Sequence, residues 1–512
     1  MSAHAQQDVI SFLSTPSTYG GGVANVERVE THAAIVFLAG ARAYKLKRAI
    51  RFDYLDYSTV DRRRASCEAE VALNRRTAPA LYLGTLPVTR GRSGALQLGG
   101  DEAPVDWVVE MVRFDQETLF DRLAARGALP ISLMPPLAAS ISALHAAAAP
   151  VDDHGGRAGL AWAIDGNEAG LLDQGRDLLD AAAVRRLIED TRVELDRQGE
   201  RLDVRRRDGL VRRCHGDLHL RNICLLDGRP TIFDAVEFND AIACVDVFYD
   251  LAFLLMDLWR RGLHAHANAV FNEYLTQSGD LAALPVLPLF LSCRAAVRAK
   301  TSATAAGLQS DAAGIGPLRD ASREYLAMAA RLLHPAAPRL VAIGGLSGAG
   351  KSTIARAVAA GVGRAPGAVI VRSDVVRKQL RGVDPLTRLP EEGYAPPVTE
   401  QVYAVLRDRA ALILRSGQAV VVDAVYGRPD ERDAIERVAA EAGVPFSGVW
   451  LDAPVPVMAE RLSGRRGDAS DATTDVLAAQ AARERGPLGW TVVDASGDPE
   501  AVQRRVEAAL VA

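Results

Sequence analysis

The sequence predicts two domains of different class: a bilobal α+β domain over residues 1–333 and an α/β domain with a parallel sheet over residues 339–512. Three observations predict it. Short runs of period-2 alternation surround one helix near the start, and a long, mostly helical stretch follows. After the stiff segment His334-Pro335-Ala336-Ala337-Pro338, taken as a linker over 334–338, the pattern changes to strands and helices in alternation. Each half also carries a phosphate-handling signature, and the two signatures are of unrelated design.

In the first domain, Val26–Glu30 and Ala34–Leu38 alternate as strands, and the turn Ala39-Gly40-Ala41-Arg42 leads into a third, Ala43–Lys47. A helix is expected from Ser58 or Thr59, either a suitable N-cap, to before Pro79. Leu81–Val88 and Val105–Val112 read as further strands. From Thr118 to Leu333 the pattern is helical except across His215–Asp234, and Leu318–Leu333 is the closing helix. In the second domain the strands are Leu340–Gly344, Val369–Arg372, Ala419–Asp423, Gly448–Asp452 and Thr491–Asp494, with helices between them.

Bulk properties narrow the function. A chain of 512 residues exceeds one core. Its 49% hydrophobic and 24% charged content is that of an ordinary globular protein. A net charge of -4 leaves no basic footprint, so no nucleic-acid partner is expected. The runs Arg62-Arg63-Arg64 and Arg205-Arg206-Arg207 read as solvated helix faces. Met1–Gly20 has no basic segment followed by an apolar one, and the most apolar stretch, Leu281–Leu291, is broken by Pro285 and Pro288. No secretory signal and no membrane association are therefore expected. Cys67, Cys214, Cys224, Cys244 and Cys293 are odd in number and lack CxxC spacing, which predicts reduced thiols and a cytoplasmic location. Of 60 Lys and Arg residues only Lys45, Lys47, Lys300, Lys351 and Lys378 are lysines. A position that keeps lysine in such a chain is a candidate for needing a compact ammonium.

The second signature is Gly345-Leu346-Ser347-Gly348-Ala349-Gly350-Lys351-Ser352-Thr353, a Walker A pattern between an apolar strand and a helix. Its glycines let backbone N–H groups wrap phosphates at a helix N-terminus. Gly345, Gly348, Gly350, Lys351, Ser352 and Thr353 are the expected ATP-binding residues, with Lys351 on the β- and γ-phosphates and Ser352 on Mg²⁺. Asp423 ends the strand Val420-Val421-Val422 in the Walker B place and is the second expected Mg²⁺ residue. Ala424 follows it where a hydrolytic motor needs a carboxylate, so transfer to a bound acceptor fits better than hydrolysis. These landmarks resemble small P-loop kinases such as gluconate kinase and the kinase half of polynucleotide kinase. The resemblance implies that Asp374 and Arg377, in Arg372-Ser373-Asp374-Val375-Val376-Arg377-Lys378, contact the acceptor, with Asp374 able to take the hydroxyl proton. Arg461, Arg465 and Arg466 follow the fourth strand, where a mobile lid supplies cations to the transferring phosphoryl group.

The first signature is Cys214-His215-Gly216-Asp217-Leu218-His219-Leu220-Arg221-Asn222. Asn stands five positions after Asp, the spacing of a kinase catalytic loop. Asp217 is the expected base on the acceptor hydroxyl, and Asn222 and Asp234 are the expected Mg²⁺ residues. His215 is assigned to bracing this loop. Lys45, in Ala43-Tyr44-Lys45, is expected on the phosphates, with its partner carboxylate on the next helix. Glu68 and Glu70 both lie there, and Glu70 is favoured because it shares a face with Cys67 and Leu73. Lys47 points to the same strand face and is an alternative to Lys45. No glycine-rich loop stands between the first strands: Gly20-Gly21-Gly22 lies too early, and Thr31-His32 occupies the turn. The segment is similar to the aminoglycoside phosphotransferase and choline kinase group, which implies a protein-kinase-like fold. In Val245-Asp246-Val247-Phe248-Tyr249-Asp250-Leu251-Ala252 the two aspartates match that group's D-x3-D-L-A and are read as structural braces.

The pairing of the two halves resembles bacterial fused proteins labelled aminoglycoside phosphotransferase/AAA family ATPase. The resemblance rests on Glu30-Thr31-His32, Tyr44-Lys45-Leu46-Lys47, Leu73-Asn74-Arg75-Arg76, His215-Gly216-Asp217 and the P-loop. It implies ATP and Mg²⁺ as cofactors and no settled acceptor. Three functions stay open: two small-molecule kinases moving the γ-phosphate of ATP to hydroxyl groups; one P-loop kinase regulated by a kinase-like ligand-binding domain; or a nucleotide-gated sensor without transfer.

Overall fold

The alternating residues over 26–47 form three strands, β1 (Val26–Glu30), β2 (Ala34–Ala39) and β3 (Arg42–Lys47). The computed structural model describes residues 3–31, 33–52, 55–309, 312–465 and 467–511. His32 and Arg466 lie outside the described residues. The short pair β4 (Arg51–Phe52) and β5 (Leu55–Asp56) comes next, then β6 (Tyr82–Arg90), β7 (Leu96–Leu98) and β8 (Pro104–Val112). The antiparallel sheet runs β1-β2-β3-β8-β6-β7. Side chains alternate faces along each strand. Ile35, Phe37, Leu46, Val88 and Val108 pack with Val9 and Leu13 of helix Ala3–Leu13. Leu38, Ala43, Val109 and Tyr82 pack with Cys67 and Val71 of helix Val60–Asn74. Thr59 caps that helix, accepting from the Arg62 N–H at 3.3 Å.

Two arginine runs differ from the sequence expectation. Arg63 is fully buried and donates to Asp106 at 2.6 Å and to the Tyr57 carbonyl at 2.9 Å. Gln6, from the first helix, donates to the other Asp106 oxygen at 3.0 Å. Arg205 is also buried and grips Asp246 with two donors at 2.7 and 2.9 Å. In each run one arginine falls on the inward helical stripe, where burial requires a carboxylate partner.

The segment from Val211 to Asp246 carries two antiparallel pairs, β9 (Val211–Arg213) with β12 (Cys244–Asp246) and β10 (Ile223–Leu226) with β11 (Arg229–Ile232). The later strands are β13 (Leu340–Gly345), β14 (Val369–Arg372), β15 (Val420–Asp423), β16 (Phe446–Asp452) and β17 (Thr491–Asp494). They form a fully parallel sheet in the order β14-β15-β13-β16-β17. All six residues of β13 are buried, as the central strand of a covered sheet requires. The carboxyl ends of β13, β14 and β15 open onto one edge, where such sheets bind ligands.

By contacts the chain divides into two units, residues 1–176 with 184–257 and residues 177–183 with 258–512. The segment 334–338 therefore lies inside the second unit, because preceding helices help to build it. Strand β14 ends the sheet, and helix His264–Ser278 covers its free side. Asn272 accepts from the Ile370 N–H at 2.7 Å and donates to the Ala368 carbonyl at 3.1 Å. Asn268 donates to the Pro366 and Ala368 carbonyls, both at 3.0 Å. Two asparagines thus satisfy an edge that would otherwise be open to pairing. All five cysteines are buried and outside any disulfide, and no helix among the described residues is long and apolar enough to cross a membrane.

Candidate active sites

In the first unit, β3 and helix Val60–Asn74 bring two lysines onto one carboxylate. Lys45 Nζ lies 2.9 Å from one oxygen of Glu70, and Lys47 Nζ lies 2.6 Å from the other. Glu68 points away to Arg64, so Glu70 is the partner of Lys45. Lys45 also reaches Asp234 at 2.5 Å, while Lys47 reaches Glu237. Lys47 is therefore not a substitute for Lys45 but a second, fully buried member of one network. Burial alone would raise the Glu70 pKa, but Lys45 and Lys47 outweigh it and hold the carboxyl well below its ordinary range. Glu237 also accepts from Tyr57 at 2.6 Å and Ser66 at 2.9 Å.

Lys47→Met leaves Glu70 and Glu237 facing each other without their shared cation. Removing one partner of a buried ion pair costs about 3–5 kcal/mol. The expected result is a lower denaturant midpoint at unchanged m, with part of the loss recovered in Lys47→Met/Glu237→Gln. Chemical denaturation of the single and double variants checks this.

The end of the same helix fixes the Asp234 segment. Asn74 donates to the Glu70 carbonyl and accepts from the Ala235 N–H, at 2.9 and 2.8 Å. The buried Tyr82 hydroxyl accepts from the Asp234 N–H at 3.2 Å. Asp234 itself has φ 63°, a conformation uncommon outside glycine. Arg76 donates to the carbonyls of Arg213 and Cys214, at 3.1 and 3.4 Å. The Asn74-Arg75-Arg76 stretch thus ties the helix to both functional loops.

Asp217 and Asn222 are brought together. Asn222 donates to the Asp217 carbonyl at 2.9 Å and to its carboxylate at 3.2 Å. Phe233 N–H donates to the Asn222 carbonyl at 3.0 Å, which brings the Asp234 segment beside Asn222. Asp250 braces the loop, accepting from the His215 and Gly216 N–H groups at 3.2 and 2.8 Å and meeting His145 at 3.0 Å. Asp246 instead anchors Arg205, so the two aspartates hold different parts of the fold. His215 Nε2 lies 2.8 Å from the Phe233 carbonyl, and burial lowers its pKa, which fits bracing by a neutral ring. His219 Nε2 lies 3.3 Å from the Asp217 carboxylate. Asp217 stays accessible, with 41% of its side chain exposed. Residues 31–33, between β1 and β2, include no glycine.

In the second unit, the P-loop joins β13 to helix Lys351–Ala359. Gly348 has φ 84°, and a Cβ there would stand 2.5 Å from the Met458 carbonyl oxygen. A Cβ at Gly345, φ 140°, would stand 2.5 Å from the Leu451 carbonyl oxygen. Only glycine fits either position. Lys351 Nζ donates to the Leu346 carbonyl at 3.0 Å and so lies over its own loop. Burial, with Arg465 and Arg372 adding to it, lowers the Lys351 pKa against the pull of Asp423 and Asp374. Ser352 Oγ donates to Asp423 at 2.5 Å. Thr353 is exposed in the first helical turn.

Asp374 follows β14 in the first turn of helix Ser373–Leu380. Loss of surrounding water, then the charge of Asp423, raises its pKa, while Arg372 and Lys351 oppose the shift. Arg377 is buried, donates to the Gly393 carbonyl at 2.9 Å and lies over the Tyr394 ring. Arg461 is held on the Gly497 carbonyl at 3.2 Å, near Gly350. The charge of Arg465 helps to lower the pKa of Lys351.

The oxygen donors fit magnesium. Ser352 and Asp423 present a hydroxyl and a carboxylate at one point, and the Arg372 guanidinium already sits there as a cation, 2.9 Å from Ser352 and 3.3 Å from Asp423. Hard oxygen donors are what Mg²⁺ takes. In the first unit Asn222 and Asp234 supply a carbonyl and a carboxylate of the same kind. Sequence reasoning missed Glu237, Arg372, Asp468 and Asp471. Asp468 meets Arg372 at 3.1 Å, and Asp471 meets the fully buried Lys378 at 2.9 Å. The scarcity of lysine marked Lys378, and so could have pointed to its partner.

Comparison with known proteins follows the same division. The uncharacterized protein Rv2004c of Mycobacterium tuberculosis is 32% identical over 464 residues, 89% of each chain. The chain belongs to the family of this mycobacterial protein. In this family member, residues 340–487 match a family described as an AAA domain. The adenylyl-sulfate kinase of Myxococcus xanthus is 31% identical over 118 residues, 23% of this chain and 59% of that protein. A choline/ethanolamine kinase family protein from Mesorhizobium loti aligns over 64% of this chain and 95% of its own, at 15% identity and TM-score 0.39.

Proposed function

We propose that the protein is an ATP-dependent phosphotransferase with two nucleotide sites, each moving a γ-phosphate to a hydroxyl of a small molecule. The functional parts are residues 1–333 and 339–512, joined by 334–338. The observation that carries the reading is the P-loop apparatus: Lys351 over its loop, Ser352 bonded to Asp423, and Asp374 raised in pKa beside them. Bound Mg²⁺ would neutralise phosphate charge at Ser352 and Asp423. Ala424 after Asp423 leaves no carboxylate there to activate water, so Asp374 is assigned to an acceptor hydroxyl. Arg377 is assigned to holding that acceptor, and Arg461 with Arg465 to covering the phosphates. At the N-terminal site Lys45 and Glu70 are assigned to the nucleotide, Asn222 and Asp234 to the metal, and Asp217 to the base.

A second reading keeps one live kinase, the P-loop part, with the N-terminal part as a ligand-binding regulator. The lack of glycine among residues 31–33, between β1 and β2, favours it, since the sequence there offers no flexible backbone to cover phosphates. Acceptor-dependent ATP consumption separates the two. Wild type, Asp217→Asn and Lys351→Ala are tested against sugars, amino-sugars, aminoglycosides, choline and nucleosides. Loss of a different activity in each variant supports two kinases. Loss in Lys351→Ala alone supports the second reading, and no acceptor-dependent turnover in wild type rejects both.

Lys351→Ala is also expected to weaken nucleotide binding at the C-terminal site by about 10- to 100-fold, the worth of one charge-assisted hydrogen bond. Calorimetric titration with ADP should retain the N-terminal binding event unchanged.

A further inference from the structure

Arg372 takes no part in the assignments above, yet it lies at their centre. It ends β14, in register with Asp423 at the end of β15. Its side chain is 11% exposed. One guanidinium donates to the Ser352 hydroxyl at 2.9 Å, to Asp423 at 3.3 Å, and to both Asp468 oxygens at 3.1 and 3.3 Å. The first two groups are those that fit magnesium. The third belongs to the connection between helix Val455–Ser463 and helix Thr474–Ala481.

A guanidinium keeps its charge at every pH proteins experience. It cannot vacate Ser352 and Asp423 by losing a proton, only by moving. Mg²⁺ needs short oxygen contacts in near-octahedral geometry and tolerates no cation on the same two ligands. Asp468 supplies a second anionic anchor, on a different segment, that does not compete with the metal.

We propose that Arg372 holds the place of the divalent metal in the P-loop site, and that metal–nucleotide binding requires its release from Ser352 and Asp423 while Asp468 retains it nearby. This inference rests on the P-loop part binding a metal–nucleotide. Arg372 is a positioning residue in this scheme. Its charge favours metal-free nucleotide, which lacks another cation for its phosphates, and opposes the magnesium complex. The site's preference for MgADP over ADP is therefore set low by one side chain.

Calorimetric titration with ADP, with and without Mg²⁺, tests this, the P-loop component being the one weakened in Lys351→Ala. In Arg372→Gln the ratio of the two dissociation constants should shift toward MgADP by about tenfold or more, a difference of roughly 1.4 kcal/mol. Arg372→Lys, which keeps the charge but loses the fork, should shift it the same way by less. Should Arg372→Gln fail to fold, Arg372→Lys decides alone. A ratio within about twofold of wild type in the folded variants, or one shifted toward metal-free ADP, overturns the inference while leaving the nucleotide site intact. A wild-type P-loop component absent with and without Mg²⁺ overturns the inference together with the nucleotide reading.

Discussion

Asp217→Asn is expected to slow transfer at the N-terminal site by about 10²–10⁴-fold, the usual worth of a general base. Nucleotide affinity there should stay within about twofold, because the residues assigned to nucleotide are Lys45 and Glu70. The geometry explains the expected separation. Asp217 is 41% exposed, while its loop is held by Asp250, His215 and the Asn222 side chain. Asparagine fills the same volume and can still meet Asn222, so the loop should keep its shape. What it loses is the ability to take a proton. A kcat loss at unchanged KM for ATP, measured with the acceptor found in the panel, would match. An unchanged kcat would reduce the N-terminal part to a binding module.

The sequence made much of this legible for identifiable reasons. Period-2 runs and continuous apolar runs located the strands they marked within one or two residues, since sheets impose those patterns directly. Helix Ala3–Leu13 and the strands β4, β5, β7, β9, β10 and β12 were not anticipated: the strands have two to four residues, too few to show a period. Glu70 was separable from Glu68 because it shares a helical face with Cys67. The same argument extends to Arg63, because Arg63, Cys67, Glu70 and Asn74 form the buried stripe of one helix. Reading the triple arginine as a unit hid that. Arg205 follows Gln198 and Leu202 in the same way. The partners of Arg372 and Lys378 were of another kind. Asp468 and Asp471 lie more than ninety residues away, and no local period predicts such a contact. Motifs marked the residues expected at each site, whereas the charges packed against them came only from tertiary structure.

Asp374→Asn carries the other large expected effect, a fall in transfer at the P-loop site of about 10²–10⁴-fold. The reason is the environment that raises the pKa of Asp374: loss of water first, then the nearby Asp423 carboxylate. A carboxylate kept in that setting binds a proton more readily than a solvated one, which improves a base toward a hydroxyl. The sign of the pH dependence follows. The base works only when ionised, so kcat/KM should fall as pH drops through its raised pKa, above the ordinary aspartate range. Asparagine cannot titrate, so the variant's residual rate should lack that acid limb. The variant must also still bind MgADP, since Lys351, Ser352 and Asp423 remain. If the variant kept both its rate and the acid limb, the proton would have to go elsewhere. Asp374 would then be a group that positions Arg372 and Lys351, whose charges it already faces.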